Sequence, residues 1–133
     1  MPSNVKQVVP FLHVANMEAS FRHYTEGLGF QSKHQWIVDE KLRWCWLQLG
    51  DASLMLQEFA KEGNVGDGVS LCFLCDDALA IYHDLRSRGI PASEPQVGNH
   101  MWVTNLSDPD GYRLLFESPT GVPEDTRLSD WKG

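Results

Sequence analysis

Asn16-Met17-Glu18-Ala19-Ser20-Phe21-Arg22-His23-Tyr24, running on to Leu28-Gly29-Phe30, has a counterpart sixty residues later in Asp76-Asp77-Ala78-Leu79-Ala80-Ile81-Tyr82-His83-Asp84, running on to Arg88-Gly89-Ile90. At that offset Phe21 falls on Ile81, His23 on His83 and Gly29 on Gly89. Upstream, Val9 and Phe11 fall on Val69 and Leu71. Downstream, Leu54-Met55-Leu56-Gln57 falls on Leu114-Leu115-Phe116-Glu117. Three separated blocks in one alignment imply two tandem modules, about 5–62 and 66–120, with a tail at 121–133. Two copies are too few for a solenoid.

Each module reads as strand, helix and then further strands. Val8 to Val14 is β-rich, Asn16 suits an N-cap, and Met17, Phe21, Tyr24 and Leu28 follow at helical spacing until Gly29 ends the run. In the second copy Asp76 is the expected cap, with Ala78, Ile81, Tyr82 and Leu85 as the apolar stripe and Gly89 as the stop. This predicts helices at about 16–28 and 76–88. Short β-rich runs come next: Gln35 to Val38, Leu42 to Leu49 and Ser53 to Phe59, then Trp102 to Leu106 and Tyr112 to Ser118. Asp108-Pro109-Asp110-Gly111 is a turn signal joining the last two strands, because Pro presets φ and Gly closes the turn. Gly63 to Gly68 reads as the linker, and the polar tail beyond Gly121 reads as loose apart from Trp131. The expected fold class is α+β, tandem βαβββ with eight mostly antiparallel strands.

Composition limits what such a chain can do. Its 133 residues, 42% hydrophobic and 22% charged, suit one compact domain rather than a disordered chain. A net charge of −7 without any Lys/Arg cluster argues against nucleic acid as a partner. No apolar run approaches the ~18 residues of a membrane span, and Met1-Pro2-Ser3-Asn4-Val5-Lys6 lacks the hydrophobic stretch of a signal peptide, so a cytoplasmic protein is expected. Cys72 and Cys75 have redox-motif spacing, but residues three apart on a strand point to opposite faces and do not share a metal ion. They read as small core residues of a reduced protein.

Pro10-Phe11-Leu12-His13-Val14, Ser20, Tyr24, Leu28-Gly29-Phe30 and Asp108-Pro109-Asp110-Gly111-Tyr112 leading to Phe116-Glu117, together with the tandem repeat, resemble the vicinal oxygen chelate superfamily. That superfamily includes glyoxalase I, fosfomycin-resistance enzymes, extradiol dioxygenases and bleomycin-resistance proteins. The resemblance spans about residues 6–120. It implies that the eight strands form one curled sheet around a cavity and that the chain is a homodimer. Metal-dependent members carry a ligand on the first and last strand of each module. Carried over, those positions fall on Val9, Met55, Ser70 (or Val69) and Leu115, none of which is a competent ligand for a divalent ion that polarises an oxygen substrate.

His13, Gln57 and Glu117 lie two or four residues from these positions and so share their faces. With His100 from a loop, His13 and Glu117 form a candidate displaced metal site or acid–base pair. His23, His83 and His34 read as surface, packing or strand-edge residues. Trp36, Trp44, Trp46 and Trp102 fall on strands expected to line or edge the cavity, with Trp44 and Trp46 on one face. Indoles sandwich planar ligands, adding ~0.5–1.5 kcal/mol per ring pair beyond burial, and attract cations. Core or interface packing explains them equally well.

The reading that follows is a binding protein needing no metal or cofactor, similar to the bleomycin-resistance branch, that sequesters a small aromatic, cationic compound. Its expected contacts are His13, Trp44, Trp46, Gln57, His100, Trp102 and Glu117. The alternatives are a divalent-metal lyase, isomerase or dioxygenase using a displaced site, and a module acting only through protein contacts. No catalytic residue is assigned.

Overall fold

The structure, a computed structural model, describes residues 1–59 and 65–133. The chain divides into two compact units, Met1–Gly63 and Asn64–Gly133. The expected module end at 62, and Gly63 and Asn64 of the expected linker, lie outside the described residues. No described helix is long and apolar enough to cross a membrane.

The first unit runs β1 (Phe11–Val14), α1 (Met17–Arg22), a π-helical turn (His23–Gly27), β2 (Gln31–Val38), β3 (Lys41–Leu49) and β4 (Ala52–Glu58). The second runs β5 (Ser70–Leu74), α2 (Ala78–Ser87), β6 (Gln96–Gly98), β7 (Met101–Ser107) and β8 (Arg113–Pro119). Each unit is therefore βαβββ. The strands do not form the single eight-stranded curled sheet expected above; they form two four-stranded sheets ordered β1-β4-β3-β2 and β5-β8-β7-β6. Both are mixed, since β1 and β5 run parallel to β4 and β8 while the other neighbours are antiparallel. The parallel pair arises because the helix carries the chain back across the sheet before the next strands begin.

Strand alternation divides each sheet into a closed and an open face. In the first unit Leu12, Val14, Cys45, Leu47, Leu54 and Leu56 are buried on the side covered by α1, where Met17, Ser20 and Tyr24 meet them. Burying each Leu contributes roughly 1.5–3 kcal/mol. In the second unit the buried set is Trp102, Thr104, Leu106, Leu114 and Phe116, under Ala78 and Leu85 of α2. The helix starts are held alike. The Met17 N–H donates to Glu58 Oε2 at 2.9 Å, and the Ala78 N–H donates to Ser118 Oγ at 2.8 Å.

The helix caps revise the repeat alignment. Asn16 accepts the Ala19 N–H at 3.0 Å as expected, but in the second unit it is Asp77, and not Asp76, that accepts the Ala80 N–H at 3.0 Å. Gly29 lies thirteen positions after Asn16 and Gly89 twelve positions after Asp77. The π turn absorbs the extra one: the Leu28 N–H reaches back five residues to the His23 carbonyl at 3.0 Å. Tyr24 therefore matches Leu85, both buried, while Gly29 matches Gly89, both at positive φ (86° and 75°) where glycine stops a helix without strain.

A second slip lies in β3. Trp36 pairs with Trp44 but Ile37 pairs with Leu42, so Arg43 is bulged out. In the second unit Val97 pairs with Trp102 and Gln96 with Val103 without interruption. Trp102 thus stands where the first unit has Leu42.

The tail is not loose. The Val97 N–H donates to the Thr126 carbonyl and the Asp125 N–H to the Val97 carbonyl, both at 2.9 Å, and Gln96 bridges to Arg127. Val122 and Leu128 pack on Ala78, Val97 and Trp102, and Trp131 sets its ring edge-on to Trp102 at 5.4 Å. Three apolar anchors among polar residues suffice, because the strand edge supplies the remaining contacts.

Candidate functional site

The open face of the first sheet carries two cross-strand rows. One runs Trp36, Trp44, Gln57, His13; the other runs His34, Trp46, Met55, Phe11. Direct partners in a sheet stand close enough for their side chains to touch, so the face is a continuous surface of indole, imidazole and phenyl rings broken by Gln57 and Met55. Trp36 is 53% exposed and Phe11 44%, while Trp44 and Trp46 are half-buried. His13 is fixed by aromatic neighbours, lying over Phe59 at 4.0 Å between centroids and edge-on to Phe11 at 5.9 Å. His34 meets Trp46 edge-on at 6.3 Å. A recess of about 540 Å³ opens beside Trp46 and His34, walled by Gln7, Lys33, Gln48, Asp51 and Ser53.

Sequence reading leaves His34 off the face because the expected strand begins at Gln35, and it places Trp36 on a strand lining or edging the cavity without naming it among the contacts. Extending the period-two pattern back to Gln31 puts both on the face of Trp44 and Trp46.

The open face of the second sheet is different. Across it lie Ser70 and Arg113, then Cys72, Leu115 and Asn105, then Leu74, Glu117, Val103 and Gln96. Arg113 donates to Asn105 Oδ1 at 2.9 Å. Glu117 is half-buried and makes no ion pair among the described residues; its carboxylate accepts the Cys72 thiol at 2.7 Å. Burial, then the Glu117 carboxylate as acceptor and charge, push the Cys72 thiol up to about 11, so it stays protonated at neutral pH. Cys72 is exposed rather than a core residue, while Cys75 packs toward Ala78, Val97 and Trp102 and contacts the Glu117 backbone carbonyl at 3.5 Å. The two thiols do lie on opposite faces.

Of the seven expected contacts, His13, Trp44, Trp46 and Gln57 share one face and Glu117 lies on the other open face. Two need correction. Trp102 is 4% exposed on the closed face of its sheet, beneath α2 and the tail. His100 sits exposed in the β6–β7 turn, where the Asn99 and His100 N–H groups donate to Glu124 at 2.9 and 2.6 Å. Its imidazole also faces Glu124, at 3.9 Å, and not Glu117.

The positions that hold metal in relatives do not fit one here. Met55, Ser70 and Leu115 occupy open-face register positions, with Val9 just ahead of β1, and the four together offer a thioether, a hydroxyl and two hydrocarbons. Without imidazole or carboxylate, nothing compensates the dehydration of a hard divalent ion. Among the described residues no group of three or more His, Cys, Asp and Glu is placed to hold a metal ion.

Two βαβββ units in tandem, each with one helix-covered and one open sheet face, define the class of fold. The chain belongs to the Glyoxalase/Bleomycin resistance protein/Dioxygenase superfamily, whose family model matches residues 5–116. Among solved structures it is similar to a bleomycin resistance determinant encoded on the transposon Tn5, with 22% identity over 89% of this chain and all of the other and a TM-score of 0.71. A bleomycin-binding protein complexed with bleomycin matches at 24% identity over 86% of this chain and 98% of the other, TM-score 0.70. An antibiotic binding protein, TnmS3 from Streptomyces sp. CB03234, matches at 21% over 86% and 98%, TM-score 0.66. At these identities the likeness is one of fold. No curated protein matches the chain in sequence.

Proposed function

We propose that this protein is a metal-free binding protein that sequesters a planar aromatic, cationic small molecule and works as a cytoplasmic homodimer, with the two units, about 5–62 and 66–120, acting as one domain. The observation that carries this reading is the indole face: Trp36, Trp44 and Trp46 stand together on one open sheet face instead of in a core. Stacking on such a surface contributes ~0.5–1.5 kcal/mol per ring pair beyond burial. The bleomycin-binding and antibiotic-binding neighbours support a small-molecule ligand. An uncovered apolar area including Trp36, Ile37 and Val38 favours a second copy as its cover.

Titration with planar aromatic compounds, followed by calorimetry and tryptophan fluorescence, tests the reading. Trp44→Ala with Trp46→Ala should weaken binding about fivefold or more, from two lost stacking partners at ~0.5–1.5 kcal/mol each. A double variant that binds like the parent overturns the assignment of the face.

A further inference from the structure

With the helix caps aligned, each unit has a groove beside its helix start. Asn16 matches Asp77, so Met17 matches Ala78, Glu18 matches Leu79 and Phe21 matches Tyr82. The turn Asp39–Glu40 matches Asn99–His100, all four residues at positive φ, and Leu42 stands where Trp102 does. In the second unit a chain segment occupies the groove. Val122 and Leu128 pack on Ala78, Val97 and Trp102, while Glu124 takes the turn N–H groups and faces the His100 imidazole at 3.9 Å. In the first unit the corresponding space is a cleft of about 610 Å³ over Met17, Phe21 and Leu42.

The charge of this cleft is opposite to what that segment requires. Four carboxylates, Glu18, Glu26, Glu40 and Glu58, line it against two cations, Arg22 and Lys41. Arg22 meets Glu26 at 3.5 Å and Arg43 meets Glu58 at 3.1 Å, so Glu18 and Glu40 are the lining carboxylates with no ion pair among the described residues. Both are exposed, Glu18 in the place of apolar Leu79 and Glu40 in the place of His100. A segment such as 121–131, which sets Glu124, Asp125 and Asp130 against Arg127 alone, is repelled by this rim.

We propose that the cleft beside α1 is a docking site for a basic and apolar chain segment of a partner protein, whose apolar side chains enter over Met17, Phe21 and Leu42 while its Lys or Arg residues meet Glu18 and Glu40. The second unit supplies the template for the occupant, a chain segment anchored by two apolar side chains with a charged residue at the turn. The rim reverses the sign of that charge: a carboxylate on the segment meets His100 in the second unit, and a carboxylate of the groove awaits a cation in the first. Apolar anchors in the cleft supply affinity and the rim supplies choice of partner. The cleft lies on the helix-covered side of the first sheet, whereas the ligand proposed above uses the open side, so the two functions stand or fall separately.

Two peptides titrated into the full chain, followed by NMR at about 20 mM salt where exposed charges are weakly screened, test the site. One has the sequence of residues 121–131; the other carries Glu124→Lys, Asp125→Lys and Asp130→Lys. The lysine peptide should move the resonances of Glu18, Phe21 and Leu42 and bind about tenfold or more tighter than the natural sequence, since each exposed ion pair changes affinity by up to about fivefold. Glu18→Gln with Glu40→Gln, both at exposed positions, should weaken it about fivefold or more. Leu42→Trp, which fills the cleft as Trp102 fills the other groove, should abolish the shifts. Shifts that persist in folded Leu42→Trp, an affinity untouched by the paired Gln changes, or shifts confined to Val97 and Trp102 overturn the site. Equal binding by the natural peptide makes the tail of a second copy the occupant, and the same shifts with 9-aminoacridine make the cleft a small-molecule site; either result overturns the partner segment. Absence of any shift at about 1 mM lysine peptide, the weak end of specific binding, overturns it as well.

Discussion

The two units share a fold and spend their large aromatic residues oppositely. The first wears three indoles on its open face, whereas the second buries Trp102 under α2 and locks it with Trp131. Their helix-side grooves are reversed as well. In the second unit Trp102, Val122 and Leu128 fill the space beside Ala78 and Val97. In the first, where Leu42 replaces Trp102, a cleft of about 610 Å³ remains, lined by Met17, Phe21, Leu42 and a fringe of charged residues including Glu18, Arg22 and Glu40. One bulged residue, Arg43, turns Trp44 and Trp46 to the open face, whereas Thr104 and Leu106, sixty residues on, are buried on the closed one, because a single insertion in a strand exchanges its faces from that point on. A one-residue slip can therefore turn equivalent strand positions of a duplicated module to opposite faces, with no change in strand order.

The largest effect that could break this contrast is thermodynamic. Trp102→Ala should destabilise the protein by about 3–5 kcal/mol in urea unfolding, the usual cost of emptying a buried indole site. Trp44→Ala, on a half-exposed face, should cost about 1 kcal/mol or less and show its effect in ligand titration instead. Equal destabilisation by the two would mean that the first unit's indoles are structural too. A smaller effect sharpens the one-residue offset between the helices. Asp77→Ala should cost about 1 kcal/mol and Asp76→Ala less than about 0.5, since only Asp77 caps α2. The reverse order would reinstate the uniform sixty-residue alignment.

The smallest effect concerns the hairpin turns, Asp39–Glu40 and Asn99–His100, all four residues at positive φ. Among the described residues only the second turn is tied by a carboxylate. The His100 and Asn99 N–H groups hold Glu124 below the ordinary carboxylate value of 4.5. The bond is complete at neutral pH and is lost as pH falls through that lowered value, so stability from this source decreases toward acid. The Asn99 and His100 amide resonances should move with a midpoint below 4.5 and lose that transition in Glu124→Gln. A midpoint at or above 4.5 would refute the tie.

Much of the architecture was legible because it rests on local signals. Caps, glycine stops and period-two runs locate the helices and most strands, and Trp44 and Trp46 share a face by alternation alone. What escaped depends on pairing. The π turn and the Arg43 bulge each shift the alignment by one residue, and neither has a signature in composition. β6 is three residues long, too short for a period to appear, and its stability comes from β7 and the tail. His100 looked like a site residue because a loop imidazole suggests chemistry; only the fold reveals Glu124 across from it. The pairing of Cys72 with Glu117 was likewise invisible, since it joins residues forty-five positions apart.

At the far margin of its sheet β2 leaves a row of amide and carbonyl groups with no partner strand among the described residues, beside exposed Trp36, Ile37 and Val38. Such a margin invites other chains to add on, copy after copy, into a filament. Its outline discourages that. The pairing is irregular between Ser32 and His34 and again between Trp36 and Ile37, and Lys33 places a charge at the first break. A growing stack needs evenly spaced donors and acceptors, and each irregularity interrupts the spacing while the ammonium must be stripped of water to be covered. The same slip that turns the indoles outward thus also guards the protein in a concentrated solution, where sticky strands would otherwise propagate.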